Sequence, residues 1–173
     1  FRTTHLMSLN ELLLCYKPVT SNTKSVFVHF LQAYKFGDII AFPRDLSSHG
    51  GLSLYKHYAI YVGSKKFVQQ TPEEDIFHMT GSVSQSPDLS GNCQYSNCVF
   101  GKLSKHRKHE LDNYLDEIWQ AEGLKINPYD IMRRIKETYR NCGRWNAITN
   151  NCEHIATCIR YGLKISWQVC GGA

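Results

Sequence analysis

No stretch of this chain approaches the roughly 18 consecutive apolar residues that a membrane-crossing helix requires; the longest candidate is Leu12-Leu13-Leu14-Cys15-Tyr16. Proline is scarce, 5 in 173 residues, and the 12 glycines follow no period. Collagen-like rods and low-complexity tracts are therefore excluded, and the lack of sustained heptads excludes a coiled coil. Charge of one sign is not abundant either. Twenty Lys and Arg stand against 15 Asp and Glu, a net +5, which favours anionic partners but falls short of the basic excess of a dedicated nucleic-acid binder. A charged segment followed by a long apolar stretch and a small-residue cleavage site is also missing. With Phe1 in first place rather than Met, the chain reads as released from a longer precursor.

What is present suits one folded domain. At 42% hydrophobic and 12% aromatic, a chain of this length hides roughly two-thirds of its unfolded surface, and it is too short for two independent cores. Seven cysteines at irregular spacing cannot all pair with one another. They imply free thiols and a reducing compartment.

Residues 1–25 read as an arm ahead of a single domain spanning 26–173. Val26 to Phe30 is strand-like, and Phe36-Gly37-Asp38 turns into a second strand, Ile39 to Phe42, ended by Pro43. A Ser- and Gly-rich loop fills 44–55. Tyr55 to Val62 is aromatic and β-branched, is closed by Gly63-Ser64-Lys65-Lys66 and is answered by Phe67-Val68-Gln69-Gln70, the signature of a β-hairpin. Period-two alternation puts His57, Ala59 and Tyr61 on one face, with Gln69 across from them. Short strand-compatible pieces follow at Ile76 to Met79 and Tyr95 to Phe100.

Three helices come next. Ser104 caps one whose apolar positions are Leu111, Leu115, Ile118 and Trp119, before Gly123. Asn127-Pro128 starts a second, with Ile131, Met132, Ile135 and Tyr139 on one side and Gly143 at its end. A third runs from Cys152 to Tyr161 and stops at Gly162. Strands first and helices after imply an α+β fold, an antiparallel sheet with helices packed on one side.

The chemistry concentrates at Asn150-Asn151-Cys152-Glu153-His154. Asn150 or Asn151 caps a helix whose first turn holds Cys152. The positive helix end favours the thiolate, and the first-turn amide can steady an oxyanion. A thiolate nucleophile needs a proton acceptor from a distant element, and His57 fits. Gln69 is the polar side chain placed to orient that imidazole, without the charge a carboxylate would supply. Tyr58, beside His57, and Asn151, beside Cys152, are the candidate substrate contacts, although Tyr58 also reads as strand packing. His154 points to another helical face and reads as a satisfied or exposed histidine.

Cys93, Cys98, His106 and His109 have the ligand types of a zinc site, but the His spacing is short and no finger-like pattern lies between the pairs. No metal and no cofactor are expected. Lys105, Arg107 and Lys108 form a basic run that either touches phosphates or is a solvated face.

Two strings together, Phe36-Gly37-Asp38-Ile39-Ile40 through His57-Tyr58-Ala59-Ile60-Tyr61-Val62-Gly63, and Asn151-Cys152-Glu153-His154 through Arg160-Tyr161-Gly162, resemble the H-box and Asn-Cys box of the lecithin:retinol acyltransferase and HRAS-like suppressor family over residues 34 to 165. The resemblance implies a circularly permuted NlpC-like, papain-like fold and acyl transfer from phospholipids through a thioester, with Cys152 as nucleophile, His57 as base and Gln69 in the place where the cellular enzymes hold a second histidine. The absence of an anchor and the glutamine fit the picornaviral 2A proteins of the H-box/NC type, as in parechoviruses and kobuviruses. That narrower resemblance implies a non-structural protein of the host-cell cytoplasm tied to genome replication. RNA, a host protein or a transient membrane surface would be its partners.

Overall fold

Strand β1, Ile39–Arg44, is covered on both faces along its first four residues, which are apolar: Ile39, Ile40 and Ala41 are wholly buried and Phe42 nearly so. It follows the turn expected at Phe36-Gly37-Asp38, where Asp38 N–H donates to the Lys35 carbonyl and the Asp38 carboxylate accepts from Lys35 N–H. The computed structural model describes residues 34–44, 55–64, 66–81, 96–103 and 108–170, all within the unit Ala33–Ala173. The arm at 1–25, the strand expected at Val26 to Phe30, residues 45–54 of the Ser- and Gly-rich loop, and the Ser104 cap lie outside the described residues.

Strand β2, Tyr55–Tyr61, pairs antiparallel with β1, setting Phe42 opposite His57 and Ile39 opposite Ile60. Strand β3 is Ile76–Gly81, β4 is Ser96–Gly101 and β5 is Glu110–Leu111. The five-stranded antiparallel sheet has the order β4-β3-β2-β1-β5. Among the described residues the helices are α1 Asp116–Ala121, α2 Pro128–Thr138, α3 Cys152–Tyr161 and α4 Trp167–Cys170. The fold class is therefore the expected one, α+β with the helices on one side of an antiparallel sheet.

Alternation sorts the sheet's two faces. Ile40, Phe42, Ala59 and Ile76 form a buried cluster on one, flanked by Tyr34, Tyr61 and Leu103, and His57 shares this face through its pairing with Phe42. The other face meets the helices. Phe100 of β4 packs on Tyr139, just past α2, with ring centroids 5.6 Å apart, and Cys98 is joined by a disulfide to Cys142. The expectation that every thiol is free does not hold at these two positions, because β4 and the segment after α2 bring their Cα atoms to 5.8 Å.

The hairpin is a second departure. Phe67-Val68-Gln69-Gln70 does not pair with β2. Gln70 is buried and ties this segment into a turn, its carbonyl oxygen accepting from Lys66 N–H at 2.7 Å while its amide donates to the Gly63 and Glu74 carbonyls at 2.7 and 2.5 Å. The strand that answers β2 is β3, in register Ala59 with His78, Ile60 with Phe77 and Tyr61 with Ile76.

The helix expected from Ser104 onward shrinks to α1. Leu111 lies in β5, paired with Ile40 and 42% exposed, while Leu115, Ile118 and Trp119 are buried as the helical spacing implied. Helices α2 and α3 begin where the sequence put them. Asn127 Oδ1 accepts from Tyr129 N–H at 2.9 Å ahead of Pro128, and Gly162, at φ +83°, closes α3 in the left-handed conformation that glycine adopts without strain.

Candidate active site

The start of α3 is built around Asn151. Its side-chain oxygen accepts from the backbone N–H of Glu153 at 2.9 Å and of His154 at 3.1 Å, and the His154 ring Nδ1 accepts from Asn151 N–H at 3.3 Å. This is a reciprocal capping box with histidine in the third position. The Asn151 amide donates to the Ala147 carbonyl and to Ser166 Oγ. Asn151 is thus the cap, while Asn150 donates to the carbonyls of Cys142 and Arg144, both at 2.8 Å. Buried and using both ends of its amide inside the protein, Asn151 is a support for the helix start and not the substrate contact expected of it. His154 is buried too. Burial, with the Lys164 charge in the same direction and Glu153 opposing, holds its imidazole below the ordinary value, in keeping with a neutral ring whose Nδ1 accepts the hydrogen bond from Asn151 N–H.

Cys152 follows as the first helical residue, buried at the positive end of α3. Its sulfur lies 4.0 Å from the main-chain carbonyl oxygen of Lys56, the residue before His57. The strands make room for it. β3 pairs with β2 only from Ala59 to Tyr61, so the edge of β2 at Lys56 is open to the start of α3. On the same edge the Lys56 N–H donates to Gln168 Oε1 of α4 at 2.7 Å.

His57 meets His78 of β3, Nε2 to Nδ1 at 2.9 Å, with ring centroids 5.1 Å apart and planes at 77°. The neighbour of His57 is therefore His78 and not Gln69, which is exposed in the turn after Phe67. The physical reason is the buried Gln70, which folds that segment into a loop and delays the pairing strand to Ile76. His78 is accommodated by Gly101 of β4, where a Cβ would stand 2.9 Å from His78 Nε2.

Behind the cysteine, Glu153 is fully buried. Its carboxylate accepts from Ser166 Oγ at 2.6 Å, Trp167 N–H at 2.8 Å, Tyr114 OH at 3.0 Å and Gln168 N–H at 3.1 Å. Four donors answer the desolvation of one carboxylate, and they fix α4 against the helix that carries Cys152. Tyr58 is buried beneath the same region. Its hydroxyl donates to Asp112 at 3.2 Å, and burial, aided by the charges of Glu153 and Asp112, keeps it protonated, so it packs and braces where substrate contact was expected. Lys56 Nζ bridges Glu110 and Asp112.

Of the basic run, Lys108 is exposed, and Lys105 and Arg107 lie outside the described residues, as do Cys93 and His106 of the zinc-like set. Cys98 is in the disulfide and His109 Nδ1 meets Tyr34 OH at 2.6 Å. Among the described residues no group of His, Cys, Asp and Glu is arranged to hold a metal, and no helix is long and apolar enough to cross a membrane. Three residues escaped the sequence reading. His78 carried a signal, an apolar–His–apolar run in a strand-compatible piece. Gln168 and the bracing role of Glu153 had none, since their partners are remote in sequence.

Residues 32–165 match the protein family described as Lecithin retinol acyltransferase. Human Lecithin retinol acyltransferase is 27% identical over 142 residues, 76% of this chain and 56% of that protein. Human Phospholipase A and acyltransferase 4 is 24% identical over 66% of this chain and 67% of its own length. For mouse Phospholipase A and acyltransferase 3 the figures are 25%, 67% and 68%.

Proposed function

Since the chain belongs to the lecithin retinol acyltransferase family, we propose that it is a cysteine-dependent acyltransferase or hydrolase acting on an ester-linked acyl group. Lipid acyl esters are the substrate class, by analogy with relatives named for phospholipase A and acyltransferase activity. The observation that carries the reading is the capped start of α3, which seats Cys152 Sγ against the backbone of β2 one residue from His57, whose ring is held by His78.

In the proposed reaction His57 takes the thiol proton, the thiolate attacks the acyl carbonyl carbon, a C–S bond forms, and the ester C–O bond breaks as the proton passes to the leaving alkoxide. An acceptor alcohol, an amine or water then receives the acyl group and Cys152 regains its proton. The Cys152 thiol must stay reduced for this, as it is in a chain that also holds the Cys98–Cys142 disulfide.

The test is mass spectrometry of the intact protein after mixing with phospholipid vesicles. A single acyl adduct is expected, located at Cys152, absent from Cys152→Ala and much slower in His57→Ala. Iodoacetamide should label Cys152 first and below pH 8. Uniform labelling of the thiols with no adduct would overturn the reading.

The narrower identity, a viral 2A-type accessory protein that binds RNA or a host protein, draws on the +5 charge and the exposed Lys108. Its argument from Gln69 falls away with His78 beside His57. Retained RNA binding by Cys152→Ala and its loss on charge reversal of Lys105, Arg107 and Lys108 would favour it; RNA binding indifferent to that reversal would count against it.

A further inference from the structure

Gln168 carries an amide whose two ends have different fates. Its oxygen accepts from Lys56 N–H at 2.7 Å, while its nitrogen is buried and has no hydrogen-bond partner among the described residues. The orientation is not interchangeable. A backbone N–H can only donate, so the end facing Lys56 must be Oε1, and Nε2 must point elsewhere as a donor. Buried donors without partners are rare and costly.

The place is informative. On an extended strand the N–H and carbonyl of one residue point to the same side. The Lys56 N–H holds Gln168 and the Lys56 carbonyl lies 4.0 Å from Cys152 Sγ. The carboxamide and the sulfur thus share one residue's edge of β2. Their spacing is also fixed from behind, because Glu153, next in sequence to Cys152, accepts from the N–H groups of Trp167 and Gln168.

We propose that Gln168 Nε2 is an oxyanion donor, a further catalytic residue of the acyl reaction at Cys152. This rests on the acyl-transfer reading given above. When the thiolate adds to the acyl carbonyl, the C=O electron pair moves onto oxygen; that oxyanion takes the hydrogen bond the amide lacks in the resting protein. Collapse of the adduct re-forms the carbonyl, expels the alkoxide, which takes the proton from His57, and releases the hydrogen bond from the amide.

Acylation builds an oxyanion and alkylation does not, so two rates on the protein separate this role from a structural one. The probes are 4-nitrophenyl acetate, whose attack by Cys152 gives the acetyl thioester and 4-nitrophenolate, and iodoacetamide at the pH-independent plateau. Gln168→Glu keeps an acceptor for Lys56 N–H and removes the donor; Gln168→Met removes both without adding charge. In both variants acylation should fall about 10²–10³-fold while plateau alkylation of Cys152 holds. Acylation that is unchanged, or that falls only in step with alkylation, overturns the assignment of Gln168 and leaves the nucleophile standing. A wild-type protein that is alkylated at Cys152 yet never acetylated overturns the acyl-transfer reading and this assignment together.

Discussion

His57 and His78 face each other across β2 and β3 at 2.9 Å, Nε2 to Nδ1. One of the two nitrogens donates and the other accepts, so each ring sets the other's tautomer. His78→Ala should therefore lower acyl-enzyme formation on the order of 10²-fold or more, as loss of an imidazole-orienting partner does in related dyads and triads, while Cys152 still reacts with iodoacetamide at its plateau. Gly101→Ala should act in the same direction by displacing the His78 ring. Gln69→Ala should leave the rate unchanged. Steady-state ester hydrolysis distinguishes the three.

Asn151 serves the helix start four ways, accepting twice and donating twice. Asn151→Ala should destabilise the fold by about 2 kcal/mol, combining a lost cap with a stranded buried partner. Urea unfolding measures it. The pH midpoint of Cys152 alkylation should rise in the same variant, because fewer dipoles then favour the thiolate.

His154 makes stability depend on pH, and the sign is fixed. Burial lowers its folded pKa below the unfolded value of about 6.5. Below that pH the unfolded chain takes up a proton that the folded chain refuses, so the contribution present at neutral pH is lost as acid is added, until the folded pKa is passed. Unfolding free energies measured from pH 7 to 5 should fall more steeply for the wild type than for His154→Gln, which cannot titrate. Parallel curves would exclude the effect.

Arg160 is buried near the end of α3 and reaches the Gly37 carbonyl at 2.6 Å, Asp116 at 2.7 and 2.9 Å and Asp38 at 3.5 Å. It joins the turn before β1 to α1 and α3. Arg160→Met leaves two carboxylates without their cation and should cost about 3–5 kcal/mol. Adding Asp116→Leu should recover part of it. Thermal midpoints of the single and double variants decide.

Much of the fold was legible where the signal is local. Asn127-Pro128 and Asn151 mark helix starts by a side chain that meets an amide two or three residues on, and the β2 alternation put His57, Ala59 and Tyr61 on one face as found. The errors came from contacts remote in sequence. Nothing near Gly63 reveals that Gln70 will turn inward and postpone pairing to Ile76, so the local pattern sets Gln69 beside His57 where the fold sets His78. Leu111 fits a helical spacing with Leu115, yet pairing with Ile40 draws it into β5. In the candidate site Cys152 and His57 were visible because their types and settings are unusual. Gln168 was not, since what singles it out is a bond to Lys56, 112 residues away.

The Glu153 clamp has a consequence for how the molecule is made. His57 leaves the ribosome early and Cys152 late, but the carboxylate beside that cysteine keeps a single side-chain donor, Tyr114, until Ser166, Trp167 and Gln168 have emerged to supply the other three. A nascent chain paused after Gly162 would carry the Cys152 sulfur on a helix start not yet braced. Helix α4, translated after the helix that carries the cysteine, is the latch that completes it.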